Sequence, residues 1–181
     1  MKEWKIGYIL TYTLEDASYL GGLMLIDKDG IPLEFAYTEN IKPTRIQKIL
    51  YGQSLEKYIK REVILTNLLN HIRVKPDLLI TPEENLTELR SVVSYPIISV
   101  NQTSLSPLSE VGITQDINKG EFVLQASPSG SPLRIKLAEA SEDNRKKTES
   151  IILELGKIMD LVEPIARVEG ALEAIWEKNL E

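Results

Sequence analysis

The segment Ser54–Ile72, SLEKYIKREVILTNLLNHI, constrains this chain most, because its apolar positions repeat with a helical period between stretches that read as strands. On a helix, Leu55, Tyr58, Ile59, Leu65, Leu69 and Ile72 gather on one face, as a core-facing stripe should. Glu62 falls inside that stripe, beside Thr66. A carboxylate there must be paired, protonated or part of a site, because an unpaired buried charge is strongly unfavourable. The opposite, polar face carries Ile64 and Leu68 among Lys57, Lys60, Asn67 and His71, an exposed aliphatic pair able to seat a partner chain.

Strand patterns lie on both sides of this helix. Trp4, Ile6, Tyr8, Leu10 and Tyr12 alternate with smaller or polar residues, which predicts a strand with one buried face. Leu23–Ile26 is a short apolar run of the kind buried on both faces, and Gly21-Gly22 sits between a loop and that run. Asp27-Lys28-Asp29-Gly30 is a hairpin turn into a third strand marked by Leu33, Phe35 and Tyr37. Together these predict an antiparallel meander. Thr44 with Gln47 forms a capping-box pattern for a short helix ending near Gly52, and Lys42, Arg45 and Lys48 make its opening turns basic, read here as a solvated face.

Beyond the long helix, Asp77–Ile80 and Pro96–Val100 read as buried strands, joined through a short helix that starts at Thr81-Pro82-Glu83-Glu84 and runs to about Arg90. A strand–helix–strand crossover predicts parallel pairing. Asn101–Gly120 is polar and without firm periodicity, so it is either a functional loop or holds a strand that the pattern does not show, while Glu121–Ala126 and Leu133–Ala138 form a hairpin. Ser141–Lys147 reads as a charged linker to a helical region from about Thr148 to Lys178, which Pro164 kinks or restarts. The predicted class is α/β: a mixed sheet opening with a three-stranded antiparallel meander, flanked by helices. The expectation is one domain over residues 1–181, with the C-terminal helical region packed on the sheet.

Composition narrows the chemistry. The chain has 181 residues, no cysteine and one histidine, His71, so thiolate metal sites, cysteine nucleophiles and a Ser-His-Asp triad are excluded or very hard to build. A net charge of −6 disfavours non-specific coating of nucleic acid, which makes nucleic acid a disfavoured but open partner. The polar N-terminus and the absence of a long apolar run predict a cytoplasmic protein with no membrane partner. No glycine-rich phosphate loop or nucleophile elbow is present. The remaining catalytic option is a carboxylate cluster holding Mg²⁺ or Mn²⁺.

The element order of three antiparallel strands, helix, strand, short helix, strand and C-terminal helix resembles the ribonuclease H-like fold. Within it, Tyr58-Ile59-Lys60-Arg61-Glu62 followed by Lys75-Pro76-Asp77-Leu78-Leu79-Ile80 is similar in layout to endonuclease V over roughly residues 4–100. The resemblance implies that Glu62 is a helical metal-site acid. It also implies an Asp on the first strand, where this chain has Ile6-Gly7-Tyr8-Ile9-Leu10, and another after the following strand, where it has Thr81-Pro82. A second run, KPTRIQKILYG from Lys42 to Gly52, resembles bacterial proteins of unassigned function and brings no function with it.

With those acids missing, the expectation is a non-catalytic soluble binding or assembly module, leaning against an enzyme, with no cofactor, no metal site and a candidate homodimer through Ile64 and Leu68. Glu62, Arg45 and Thr66 are the candidate ligand-binding residues. In the structural alternative, Arg45 or a strand tyrosine such as Tyr8 or Tyr12 satisfies a buried Glu62. The alternative function is a metal-dependent nucleic-acid-processing relative of ribonuclease H-like proteins, using Mg²⁺ or Mn²⁺.

Overall fold

The computed structural model of the chain describes residues 3–85, 89–90 and 93–178. Its strands are β1 (Ile6–Thr13), β2 (Tyr19–Ile26), β3 (Pro32–Tyr37), β4 (Leu78–Thr81), β5 (Ile97–Gln102), β6 (Thr114–Asn118), β7 (Glu121–Leu124) and β8 (Leu133–Leu137). They form one mixed sheet in the order β3-β2-β1-β4-β5-β8-β7-β6. The meander β1–β2–β3 is antiparallel, β1, β4 and β5 run parallel, and β8, β7 and β6 return antiparallel. The mixed sheet, the opening meander and the parallel crossover are as the sequence predicts. Residues 86–88 of the expected short helix lie outside the described residues, and 84–85 and 89–90 form tight 3₁₀ turns.

Helices cover both faces. On one face, Ile6, Tyr8 and Leu10 of β1 pack with Ile80, Val100, Phe122 and Ile135 against α4 (Glu142–Leu155) and α5 (Glu163–Lys178), through Ile151, Ile152, Leu155, Ile165, Val168 and Leu172. On the other, Ile9, Leu23, Leu79 and Ile97 pack against Ile59, Ile64, Leu65, Leu68 and Leu69. β1 is therefore buried on both faces, where its alternation predicts one. The expectation fails because Ile9 and Gly7 serve the second helix layer as Ile6, Tyr8 and Leu10 serve the first.

Gly21 and Gly22 lie inside β2 and mark where both layers approach. A Cβ on Gly21 would fall 2.0 Å from Ile64 Cγ2, and one on Gly22 would fall 2.9 Å from Val168 Cγ1. Successive strand residues point to opposite faces, so adjacent glycines admit one helix from each side.

The second helix layer is α1 (Arg45–Tyr51), a 3₁₀ turn (Gly52–Ser54), α2 (Leu55–Tyr58), a π-helical segment (Ile59–Leu65) and α3 (Thr66–His71). Its backbone stays in the right-handed helical region from Leu55 through the π segment, and the wider i→i+5 winding turns each residue less far around the axis. That shift overturns the expected face. Ile64 and Leu68 are buried, at 0% and 3% exposure, and Glu62 points to solvent with its side chain 53% exposed. The proposed dimer contact is thus part of the core, and Glu62 is neither a buried structural acid nor a partner of Tyr8 or Tyr12.

Of the two readings of Asn101–Gly120 the structure bears out the hidden strand, and one further expectation changes, at Ser141–Lys147. Asn101–Gly120 contains β6, a strand whose residues alternate too weakly to read because it pairs only at the sheet's outer edge. Ser141–Lys147 is not a linker: Ser141 caps α4 by accepting the Asn144 N–H at 3.2 Å, and the charged residues are its first turns. Pro164 starts α5 in its first turn rather than kinking one long helix.

Candidate functional site

The parallel register of β1 and β4 sets Ile6 opposite Leu78 and Tyr8 opposite Ile80. The same offset carries Thr11, near the end of β1, to the level of Glu83, just past β4. The Thr11 N–H donates to Glu83 Oε1 at 2.7 Å, and the Thr11 hydroxyl lies 2.8 and 3.0 Å from the two carboxylate oxygens. Glu83 is set for this by its own turn, in which its N–H donates to the buried Thr81 hydroxyl at 3.1 Å.

Thr11 shares the face of β1 that Ile9 presents to the π segment, and Lys60 reaches in from that segment. Its Nζ donates to Glu56 Oε1 at 2.8 Å, one turn back along the helix, and lies 3.7 Å from Glu83 Oε2. The Lys60 and Glu83 side chains are 22% and 24% exposed, and Glu56 is 60% exposed. Burial pulls the Lys60 ammonium toward a lower pKa. The hydrogen bond to Glu56 and the charges of Glu83 and Glu56 outweigh it and hold the group above the ordinary lysine value. The result is a fixed ammonium beside an oriented carboxylate at the C-terminal ends of two parallel strands, a usual place for ligands in open α/β sheets.

The residues singled out in the sequence lie elsewhere. Glu62 pairs with Arg61 at 3.3 Å on the outer side of the helix. Thr66 closes the π segment: its hydroxyl donates to the Arg61 carbonyl at 2.9 Å, and its N–H bonds the same oxygen. Arg45 is exposed at the start of α1, and among the described residues no hydrogen bond or ion pair joins it to Glu62 or Thr66. Lys60, Glu56 and Glu83 were legible only as a polar helix face and a capping acid. The usable signals were the Glu56–Lys60 spacing and the β1–β4 offset, and the second exists only once the strands are paired.

These residues do not fit a two-ion centre. Such a centre needs oxygen ligands converging from several elements, and among the described residues no group of three or more acids or histidines could hold a metal ion. β1 supplies a threonine, Glu62 faces away, and Glu83 already faces Lys60.

No protein-family model matches the sequence, and no curated protein does; the resemblance of Lys42–Gly52 to bacterial proteins of unassigned function finds no counterpart there. Solved structures do match. Human endonuclease V superposes with a TM-score of 0.69 at 11% identity, covering 99% of this chain and 87% of that one. Endonuclease V of Bacillus subtilis gives 0.60 at 14%, covering 99% and 84%. The Ciona intestinalis enzyme, in complex with a 23mer DNA containing an inosine followed by a ribo-adenosine, gives 0.60 at 12%, covering 98% and 87%.

These matches correct two expectations. A non-catalytic binding or assembly module was expected, and an enzyme was disfavoured; instead, nearly the whole chain follows the frame of solved nucleases. Among the described residues no helix is long and apolar enough to cross a membrane. At such low identities the likeness speaks for architecture: the chain has the ribonuclease H-like fold seen in endonuclease V structures.

Proposed function

We propose that this chain is a nucleic-acid-processing protein that engages a DNA or RNA strand at the edge formed by Thr11, Lys60 and Glu83. The observation that carries this reading is the likeness to nucleases over 98–99% of the chain, including one solved with inosine-containing DNA. In it, Lys60 presents its ammonium to a backbone phosphate. Glu83, oriented by Thr11, would take a proton from a water attacking phosphorus, while the phosphorus–oxygen bond to one strand end breaks and that oxygen leaves with a proton from solvent. Mg²⁺ or Mn²⁺, implied by the family resemblance, meets no group of three or more acids or histidines among the described residues, and the Glu56–Glu83 pair is already taken by Lys60, so the positive charge in this reading is the lysine's.

The surface of α1 supports a strand contact. No acid occurs from Ile41 to Leu55, a stretch that carries Lys42, Arg45 and Lys48 in a chain of net charge −6. Tyr51 and Tyr58 stack nearby, with centroids 4.5 Å apart, a pair of the kind on which bases can stack. Arg45 thus keeps a binding role, to phosphate rather than to Glu62. A cytoplasmic setting suits such a substrate.

The test uses the full chain with fluorescent single-stranded and duplex DNA and RNA, each with and without inosine, in Mg²⁺, Mn²⁺ or EDTA. Anisotropy reads binding and denaturing gels read cleavage. Salt-sensitive binding that weakens in Arg45→Glu, together with strand cleavage lost in Glu83→Gln, is the expected result. No binding and no cleavage with any of these strands would overturn the reading.

A further inference from the structure

We propose that Lys60 is the resident cation of this site: its ammonium stands between Glu56 and Glu83 and neutralises the pair, and the site therefore takes up neither Mg²⁺ nor Mn²⁺. The spacing of Glu56 and Lys60 puts both on one side of the helix, and the Lys60 stem carries Nζ to 2.8 Å from one carboxylate and 3.7 Å from the other. Glu83 cannot turn away freely, because Thr11 holds both of its oxygens. With two carboxylates and one ammonium the group sums to a single negative charge. Hard divalent cations bind where carboxylates accumulate without compensation, so an entering ion would have to expel Lys60 first. The 2.8 Å contact with Glu56 and the attraction of Glu83 at 3.7 Å resist the exchange. A tethered charge replaces an exchangeable one.

The exclusion of the ion rests on this geometry; only the phosphate as eventual partner rests on the nucleic-acid reading. Mn²⁺ is the probe, because the electron paramagnetic resonance signal of the free ion falls as it binds, and thermal shift gives a second readout. The wild-type chain is expected to leave the signal and the melting temperature unchanged. Lys60→Met keeps most of the apolar stem and removes the charge; it is expected to gain one saturable Mn²⁺ and a rise of several degrees, both lost in the double variant Lys60→Met/Glu83→Gln. Lys60→Gln serves the same comparison if Lys60→Met does not fold. Stoichiometric Mn²⁺ uptake by the wild type that disappears in Glu83→Gln would overturn the proposal, as would a folded Lys60→Met or Lys60→Gln that binds none. Oligonucleotide binding measured in EDTA separates the two claims: its absence removes the nucleic-acid reading and leaves the ion result standing.

Discussion

Ile64 lies against the bare face of Gly21, so close that a Cβ there would come within 2.0 Å of its Cγ2. This contact fixes the depth at which the π segment sits on the sheet. Gly21→Ala must push that segment outward and is expected to cost about 1–3 kcal/mol, the usual range for overpacking a dense core. Gly170 in α5 has nothing within 4 Å of an added Cβ, so Gly170→Ala is expected to gain about 0.5–1 kcal/mol. Urea titrations of the two variants should move in opposite directions.

The π winding also settles which aliphatics matter. Ile64→Ala should destabilise by about 2–5 kcal/mol, as for other fully buried aliphatics. Leu50, 76% exposed on α1, is a control: Leu50→Ala is expected to change stability by less than about 0.5 kcal/mol. Equal losses in the two variants would contradict the burial assignment.

Glu62→Gln follows the same logic. An exposed acid paired only with its neighbour contributes little, so the change is expected to stay within about 0.5 kcal/mol of wild type in thermal or chemical unfolding. A loss of several kcal/mol would restore the inward-facing phase that the sequence suggests.

Tyr8 is buried, and its hydroxyl donates to the Leu161 carbonyl at 3.0 Å, tying β1 to the segment between α4 and α5. Tyr8→Phe leaves that carbonyl without its donor and should cost about 1–3 kcal/mol. Burial pushes the phenol well above the ordinary tyrosine value, with the Arg167 charge opposing it only in part. Ultraviolet titration of the folded protein should therefore show Tyr8 silent until the chain unfolds in alkali.

Glu121 governs an acid-side response. Hydrogen bonds from the Asn118 amide and the Arg134 guanidinium hold its carboxyl below the ordinary value of 4.5. A depressed folded-state pKa gives stability that is present above the unfolded value and is lost as pH falls through the folded one. Thermal melts from pH 7 down to pH 2 should show that loss beginning below about 4.5, and Glu121→Gln should flatten this part of the curve.

The sequence shows the strands well because their signal is local. Leu23–Ile26, Leu78–Ile80 and Ile97–Val100 carry dense apolar side chains between turn residues, and the hairpin turn ends on Gly30 with φ +78°, as its position requires. A constant turn per residue gives the wrong helix face because the backbone widens through Ile59–Leu65. The site was missed for a different reason. Thr11 and Glu83 are ordinary residues in their own segments, and their contact arises from strand pairing across 72 positions. Lys60 reads as solvated until the sheet edge is placed beneath it.

That separation of 72 positions has a kinetic side. β1 meets β4 only across the long connection between them, because parallel strands need a crossover. Non-local pairing of this kind is slow to form, and every hydrogen bond from Thr11 to Glu83 depends on it. A molecule that grips both residues is therefore recognising the completed chain. On the proposed reading, newly made or partly opened copies present Lys60 and Glu83 on separate, unaligned segments and go unrecognised, so binding would also gauge how many copies have finished folding.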